Sequence, residues 1–382
     1  MYRDVVNFIR NTFKEEEQFI SLHEPRFIGN ERKYVLDAID STFVSSVGKY
    51  VDQFEKMLCE ITGAKYAIAM VNGTNALHLA LVLLGVEKGD EVLMQPLTFI
   101  ATANAISYAS AIPHFVDVDK DTMGLSPVKL ESYLQEIAEM KEGKCYNRKT
   151  GKKISACVPM HTFGLPLYID ELVKVCSKYN IPVVEDAAES LGSFYKDKHT
   201  GTFGSLGVFS FNGNKTITSG GGGAIVTNNE KLAIRAKHLS TQAKVPHKWD
   251  YVHDEIGYNY RMPNINAALA CAQLEMLEEF VANKRELSDL YFNFFKDKND
   301  INLVREVKDA KANYWLNTIF LENEKTRDAF LKFTNEKGIM SRPIWRLMNK
   351  LDMYKDCPKS DLTNSEYIES RVVNITSSVR IK

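Results

Sequence analysis

The chain of 382 residues is too long for one small hydrophobic core, and its length favours two domains. Its composition, 45% hydrophobic and 25% charged, is ordinary for a globular protein. Lys+Arg 48 against Asp+Glu 49 gives a net charge of -1. The protein therefore has no overall positive electrostatic potential that would attract nucleic acid or an anionic membrane, and an anionic substrate has to be bound by a local pocket.

The six cysteines are scattered and form no CxxC pair, which argues against both a zinc site and a disulfide framework. The N-terminal sequence MYRDVVNFIRNTF lacks the features of a signal peptide. No stretch approaches the roughly 18 uninterrupted apolar residues that a membrane span needs. We therefore expect a cytoplasmic protein with reduced thiols, no metal and no membrane segment.

In chain order, the pattern first predicts an amphipathic helix over residues 1–22. Two more helices are predicted at 31–41 and 49–62. The loop between them, FVSSVG, is partly apolar although its position predicts exposure. Such a loop is typical of a segment close to a site or to a partner subunit.

From residue 65 to GAIVTN at 223–228, short apolar strands alternate with helices. Strands that are apolar on both faces and alternate with helices indicate a mostly parallel sheet covered on two sides, an α/β fold. A basic insertion at 141–153 is interpreted as a solvated loop or hairpin. A phosphate-binding role for it is the less favoured alternative.

Beyond residue 228 the sheet pattern stops, and an irregular stretch at 241–260 precedes a long predicted helix at 264–296. A helix of that length is expected to leave the large domain. The predicted organisation is an N-terminal extension with a helix (1–40), a large domain (41–262), and a linking helix with a small α+β domain (263–382).

The segment Asn72-Gly73-Thr74-Asn75 ends a predicted strand and opens a helix. Helix N-termini offer unpaired N–H groups and a positive dipole end, and glycine lets an anion approach closely, so this segment is a candidate phosphate site. An ordinary strand–helix turn with Thr74 or Asn75 as N-cap is an equal alternative.

Phe99 follows another strand at what should be the same edge of the sheet, where a phenylalanine could stack on a flat heteroaromatic ring or belong to the core. Asp186 ends the apolar strand IPVVED, where a carboxylate is poorly solvated unless it pairs with a cation. A pyridinium nitrogen is one such cation, and a protein lysine or arginine is the alternative. Glu189 could hydrogen-bond a phenolic oxygen on the same ring.

Lys215 is the residue that gives these candidate ligand contacts a common function. A lysine forms a Schiff base only when its amine is neutral, which a desolvated pocket near other cations favours. Ser210 lies at a strand end where its hydroxyl could meet the same phosphate as Thr74, and Gly220 to Gly223 permit a tight turn. Together they predict pyridoxal phosphate on Lys215. His161, at another strand end, is as consistent with a structural histidine as with a ligand contact.

Motifs of other chemistries do not occur: the sequence has no GxGxxG, GxxxxGK[ST], HExxH or GxSxG. Five ordered segments instead resemble the sugar-nucleotide aminotransferases of the DegT/DnrJ/EryC1/StrS family. They are NGTNALHLAL, PLTFIATANAI, VVEDAAESLGS, FSFNGNKTITSGGGG and GYNYRMPNINAALACAQLE, and the resemblance covers roughly residues 25 to 382.

The resemblance implies the aspartate-aminotransferase type of pyridoxal-phosphate fold. It has a large domain with a seven-stranded, mostly parallel sheet and a smaller C-terminal domain, and it works as a homodimer with active sites at the interface. The reaction implied is ping-pong transamination through the pyridoxamine phosphate form.

By the matching motifs, Lys215 would be the Schiff-base lysine and proton carrier. Asp186 would pair with the pyridine nitrogen, Glu189 would lie by the ring oxygen, and Phe99 would stack on the ring. The phosphate would be held by Gly73, Thr74, Asn75 and Ser210, and by Asn259 from the other subunit.

Within the family, the N-terminal segment and FNGNKTITSGGGG resemble the LegC-type branch. This implies amination of carbon 4 of UDP-2-acetamido-2,6-dideoxy-hexos-4-ulose with L-glutamate as donor, in a legionaminic acid or bacillosamine route. Alternatives are a GDP-perosamine-type or dTDP-3-amino-sugar aminotransferase, or a pyridoxal-phosphate-binding regulator without turnover. Candidate contacts to the nucleotide sugar are Arg26, Lys49, His161, Arg342 and Arg346.

Overall fold

Seven short strands form the central sheet in the computed structural model, which describes residues 2–380. They are β1 (Tyr66–Met70), β2 (Glu91–Met94), β3 (Ile112–Phe115), β4 (Ile154–Val158), β5 (Val184–Asp186), β6 (Leu206–Ser210) and β7 (Gly223–Thr227).

Their order across the sheet is β1-β7-β6-β5-β4-β2-β3, and only β7 runs antiparallel to its neighbours. The β4–β5 junction consists of two parallel bridges, Cys157 to Val183 and Met160 to Asp186. The predicted seven-stranded, mostly parallel sheet is confirmed. Strands such as β4 and β7 are buried at every position, which is why their sequences are continuously apolar.

Helices cover the sheet and connect its strands. They are α1 (Tyr2–Phe13), α2 (Glu31–Asp40), α3 (Lys49–Thr62), α4 (Gly73–Leu83), α5 (Ile100–Tyr108), α6 (Pro127–Ile137), α7 (Ile169–Lys178), α8 (Glu230–Ser240), α9 (Asn264–Glu275), α10 (Leu277–Phe295), α11 (Glu324–Glu336) and α12 (Thr363–Glu369), with 3-10 turns at Thr162–Gly164 and Met348–Lys350.

Two predicted helices differ from the structure. The first ends at Phe13 rather than near residue 22, before the acidic run that has no apolar face to bury. The long helix predicted at 264–296 is two helices, because the chain turns at Met276, whose amide donates to the carbonyls of Gln273 and Leu274.

The basic insertion forms a hairpin of strands Ala138–Lys141 and Lys144–Asn147, as predicted. Its base is tied to the sheet by polar contacts rather than being fully solvated. Asn147 Nδ2 and Thr150 Oγ1 donate to the carboxylate of Glu91, at 2.8 Å and 2.7 Å, and His114 Nδ1 lies 2.8 Å from the same group. Glu91 and His114 are fully buried, so this network fixes the hairpin on the edge of the sheet.

A second, antiparallel sheet lies in the C-terminal part of the chain. Its order is β8-β9-β11-β10, from β8 (Ile301–Leu303), β9 (Asn317–Leu321), β10 (Arg342–Pro343) and β11 (Val372–Ile375). Short ladders elsewhere join Phe194–Tyr195 to Lys198–His199 and to Ala310–Lys311, and Lys244–Val245 to Val252–His253.

Helix α1 packs into the core of this second sheet, where Val5 and Ile9 share one buried cluster with Tyr291 and Ile319. The domain limits at residues 40 and 262 stay a prediction. From this packing we propose that α1 be counted with the small domain.

The carboxyl ends of β1, β2, β5 and β6 meet at one edge of the large sheet, because these strands run parallel to one another. This is the edge at which open α/β sheets bind ligands. No helix within residues 2–380 combines the length and the apolar character needed to cross a membrane.

Gly223 opens β7 directly against the start of α4. A Cβ at this position would lie 2.4 Å and 2.5 Å from the carbonyl carbon and oxygen of Asn72 and 2.7 Å from the amide nitrogen of Gly73. We expect Gly223→Ala to lower the free energy of unfolding by about 1–3 kcal/mol, because backbone on both sides would have to shift. Urea denaturation measures this change.

Gly221→Ala is the matched control from the same glycine run, since a Cβ there has no heavy atom within 4 Å. Its free energy of unfolding should stay within about 0.5 kcal/mol of the wild type. Equal stability of both variants would contradict the close approach of Gly223 to the backbone of Asn72 and Gly73.

Candidate active site

A cavity of about 330 Å³ opens at the carboxyl edge of the large sheet. The predicted residues that line it are Gly73, Thr74, Phe99, Asp186, Glu189, Ser210 and Lys215. They come from the ends of four strands and the loops that follow, so the fold brings together residues separated by up to 142 positions, from Gly73 to Lys215.

One end of the cavity is the N-terminus of α4. Asn72 is its N-cap, and Asn72 Oδ1 accepts a 2.8 Å hydrogen bond from the amide of Asn75. Gly73 lies so close to Ser210 that a Cβ at Gly73 would be 2.9 Å from the Ser210 Cβ. The absence of a side chain therefore keeps a space between the first-turn N–H groups and the Ser210 hydroxyl, a donor set that suits a phosphate.

Asp186 ends β5 with 3% of its surface exposed. Its Oδ2 accepts a 2.7 Å hydrogen bond from Thr102 Oγ1, and its Oδ1 accepts from the amide of Ala188 at 3.2 Å. Burial raises the pKa of Asp186, while these hydrogen bonds and the charge of Lys215 oppose the rise. A cation bound at this carboxylate would relieve the cost of its desolvation.

Lys215 lies beside a second buried acid. Its Nζ is 3.3 Å from Glu189 Oε1, and Glu189 Oε2 accepts a 2.9 Å hydrogen bond from the amide of Phe163. Burial raises the pKa of Glu189 to about 7, against the lowering effect of Lys215. The ring of Trp315 covers Lys215 Nζ at 4.2 Å from its centroid.

Phe99 precedes α5 and is 51% exposed, on the open side of the cavity. Its ring centroid lies 6.5 Å from that of Trp345, and Trp345 is 4.8 Å from Phe163. Both Trp345 and Trp315 line the cavity and come from the C-terminal part of the chain. The opening is thus bounded by aromatic rings that favour a flat ligand.

Three predicted residues lie outside this cavity. Asn75 does not line it, and its amide is used by the helix cap. His161 is fully buried with Nε2 3.0 Å from Glu185 and Nδ1 accepting from the amide of Leu167, so it is a structural histidine. Asn259 is exposed and pairs with Thr241 in an isolated antiparallel bridge.

The four basic candidates also lie away from the lining. Arg26 is paired with Glu24 at 2.5 Å, and Lys49 with Asp37 at 2.7 Å. Arg342 is exposed, and its guanidinium donates to Asn335 Oδ1 at 3.4 Å and to the carbonyl of Ser341 at 3.3 Å. Arg346 is exposed and does not line the cavity, although its neighbour in sequence, Trp345, does.

A sequence model of the DegT/DnrJ/EryC1/StrS aminotransferase family matches residues 26–382. The chain belongs to this family. Pyridoxal phosphate is its cofactor, and the prediction of a pyridoxal-phosphate-dependent aminotransferase acting on sugars is confirmed at the level of the family.

Relatives and solved structures agree with this assignment. The chain is 39% identical over 335 residues to EpsN of Bacillus subtilis (strain 168), covering 88% of this chain and 84% of EpsN. It is also 39% identical over 342 residues to the GDP-perosamine synthase of Escherichia coli O157:H7, covering 89% and 88%. The fold matches that of the aminotransferase TlmJ from Streptoalloteichus hindustanus with a TM-score of 0.86, at 22% identity and over 95% of both chains.

The residues of this family member fit the groups that pyridoxal phosphate presents. The space kept open by Gly73 beside Ser210 suits an anion, and the desolvated carboxylate of Asp186 suits a protonated ring nitrogen. Glu189, with a pKa of about 7, can share a proton with a ring oxygen. Lys215 Nζ lies beside Glu189 in the same cavity.

The sequence interpretation missed Thr102, Trp315 and Trp345 as lining residues. Thr102 carried a usable signal, because it follows Phe99 by three positions and so falls on the same side of the first turn of α5. The two tryptophans come from the small domain, far from the strand-end motifs, and no local pattern distinguishes them from core residues.

Thr102→Val should weaken the binding of pyridoxal phosphate, because the variant loses the hydroxyl that donates to Asp186 and keeps its shape. Hydrogen bonds to charged groups contribute about 1.5–3 kcal/mol, so we expect a roughly 10- to 100-fold higher dissociation constant. Cofactor titration of the cofactor-free protein measures it.

Ser107→Ala on the same helix is the control, since Ser107 Oγ donates to the carbonyl of Ala103 and not to Asp186. The interpretation of Thr102 is contradicted if both variants bind the cofactor as the wild type does.

Proposed function

We propose that this enzyme transfers the amino group of L-glutamate to carbon 4 of a nucleotide-linked 4-keto-6-deoxy sugar, with a GDP-linked sugar as the preferred substrate. The observation that carries the proposal is one cavity in which Lys215, Asp186 and Glu189 meet the N-terminus of α4. The preference for GDP rests on the 39% identity to a GDP-perosamine synthase.

The UDP-linked N-acetylhexosamine substrate of a LegC-type enzyme is the second candidate. It is supported by the likeness of ISLHEPRFIGNERKYVLDAIDSTFVSSVGKYVDQFE to that branch. The GDP-perosamine synthase at 39% identity supports the GDP-linked alternative better, so the UDP-linked sugar is the less favoured substrate.

In the proposed mechanism, Lys215 carries the cofactor in the resting enzyme and moves protons once the amino donor has displaced it. When bound, pyridoxal phosphate supplies an electron sink that stabilises negative charge on the substrate carbon that bears nitrogen. Lys215 Nζ takes the α-proton of glutamate and would pass it to the cofactor. In the second half-reaction Nζ would take a proton back from the cofactor and deliver it to carbon 4 of the sugar.

Asp186 and Glu189 set the charge around this proton carrier. Asp186 would hold positive charge at the ring nitrogen of the cofactor, because Thr102 and the Ala188 amide stabilise its ionised form. Glu189 accepts a hydrogen bond from Lys215 and so holds the amine inside the cavity, where the cofactor would bind. Phe99 would cover one face of the ring and exclude water from it.

We further propose a homodimer in which the active sites are shared. Loop residues Phe43 and Val47 are 58% and 67% exposed, as expected for an apolar segment that meets a partner subunit. Phe99 at the cavity mouth is also half exposed, and Asn259 is exposed and does not line the cavity of its own chain. A cytoplasmic location stays a prediction from the sequence.

Lys215→Ala should purify without the visible absorbance band of the lysine-bound cofactor and should not convert glutamate to 2-oxoglutarate. The expected loss of rate is several orders of magnitude, because both the covalent attachment and the proton carrier disappear. Absorbance spectra and a coupled 2-oxoglutarate assay measure these effects.

Lys215→Arg is the matched variant, since it keeps the positive charge near Glu189 but cannot attach the cofactor in the same way. Retention of the absorbance band and turnover in either variant would refute the role of Lys215. A glutamate-dependent spectral change in the wild type excludes a purely regulatory cofactor-binding protein.

Substrate choice is tested with purified enzyme, glutamate and a panel of GDP-, UDP- and dTDP-linked 4-keto-6-deoxy sugars, with the products analysed by mass. We expect the GDP-linked sugar to give the highest kcat/KM. A clear preference for the UDP-linked N-acetylhexosamine would support the second candidate and overturn the first.

A further inference from the structure

Trp315 places an aromatic face directly against the amine of Lys215, with Nζ 4.2 Å from the centroid. The side chain is 5% exposed, and it belongs to the segment that leads into β9 of the small domain. The environment of Lys215 is thus completed by a residue from outside the domain that carries the lysine.

Contacts on three sides fix the position of Trp315. Its indole Nε1 donates to the carbonyl of Asn214, the neighbour of Lys215, at 2.6 Å. Its backbone amide donates to Asn313 Oδ1 at 2.8 Å, and its carbonyl accepts from Lys284 Nζ at 3.1 Å. The two backbone contacts fix where the side chain starts, and the indole cannot turn its face from the amine without breaking the Nε1 bond to Asn214.

Lys284 anchors this arrangement from α10. It is fully buried, and its Nζ also donates to the carbonyl of Ser377 at 2.5 Å. Two carbonyls therefore offset part of the cost of burying its amine, although burial still lowers the pKa of Lys284 to about 7.

The charge of Lys215 has to change during transamination. The amine is neutral when it attaches the cofactor or accepts a proton, and it is an ammonium while it holds that proton. An ammonium is attracted to the face of an indole, more strongly where water is excluded, whereas a neutral amine is not. The ring of Trp315 therefore favours the ammonium form of Lys215 over the neutral amine.

Titratable groups also face Lys215 from the other elements around it. They are Asp186 at the end of β5, Glu189 in the following loop and His23 of the N-terminal segment. Of these, Glu189 is within 3.3 Å of Nζ. It holds the amine on one side, and the indole lies on another.

We propose that Trp315 is a positioning residue that stabilises the ammonium form of Lys215 and keeps Nζ beside Glu189 between the two proton transfers. The proposal rests on the proposed function, because it takes Lys215 as the proton carrier. The proton taken from the α-carbon of glutamate stays on Nζ as the third ammonium hydrogen until it is delivered.

The test measures how fast pyridoxal phosphate adds to the full-length cofactor-free protein at different pH values, followed by absorbance. Only the neutral amine adds, so the pH midpoint of the rate reports the balance between the two charge states. Trp315→Leu removes the aromatic face, and the midpoint should fall by roughly one pH unit, a tenfold change in that balance.

Trp315→Phe keeps an aromatic face but cannot donate to Asn214, so its midpoint should move by less than half as much. Trp249→Leu is the control, since Trp249 is 79% exposed and does not line the cavity. An unchanged midpoint in Trp315→Leu, or an equal shift in the Phe and Leu variants, would overturn the proposal.

Should Trp315→Leu fail to fold, progressively fluorinated tryptophans at position 315 keep the shape of the ring and weaken its negative face. A midpoint that falls with fluorination supports the proposal, and one that stays constant overturns it. If wild-type protein forms no lysine-bound cofactor at all, the proposed function itself fails, whereas a normal wild type with an unmoved midpoint refutes only the role of Trp315.

Discussion

The desolvation of two carboxylates at the end of β5 is the constraint on which the site depends. Asp186 and Glu189 are both 3% exposed, and burial raises the pKa of each. Lys215 is the cation that lies within 4 Å of Glu189, while Asp186 is held by uncharged donors from Thr102 and Ala188. Burying these carboxylates costs free energy in the cofactor-free protein, and that cost falls once a positively charged ring binds beside them.

The other end of the cavity suits a group of the opposite charge to the ring. The N-terminus of α4 and Ser210 suit the opposite, anionic end of the same ligand, and the distance between the two ends is fixed by the sheet. Because β1, β5 and β6 run in the same direction, their carboxyl ends lie at the same edge of the sheet, and short loops are enough to present each group. Rigid strands rather than long loops thus position the polar groups.

The sequence predicted the sheet and most of the polar cavity, because these depend on local patterns. Apolar runs defined the strands, and residues such as Asp186, Ser210 and Lys215 follow them at short spacing. It could not predict Trp315 and Trp345, since their position depends on how the small domain packs on the large one. For His161 the sequence left a structural role and a ligand contact equally open. The structure favours the structural role, because Glu185 and the amide of Leu167 take both ring nitrogens.

The packing of α1 has a consequence for how the chain is made. Its partners, among them Tyr291 and Ile319, are translated long after α1 has left the ribosome. Until then Val5 and Ile9 have no permanent apolar surface to cover them, whereas the strands of the large sheet can pair as they emerge. The core around α1 can therefore close only after the strands of the large sheet have been translated, and the nascent N-terminal helix is a candidate for chaperone binding during synthesis.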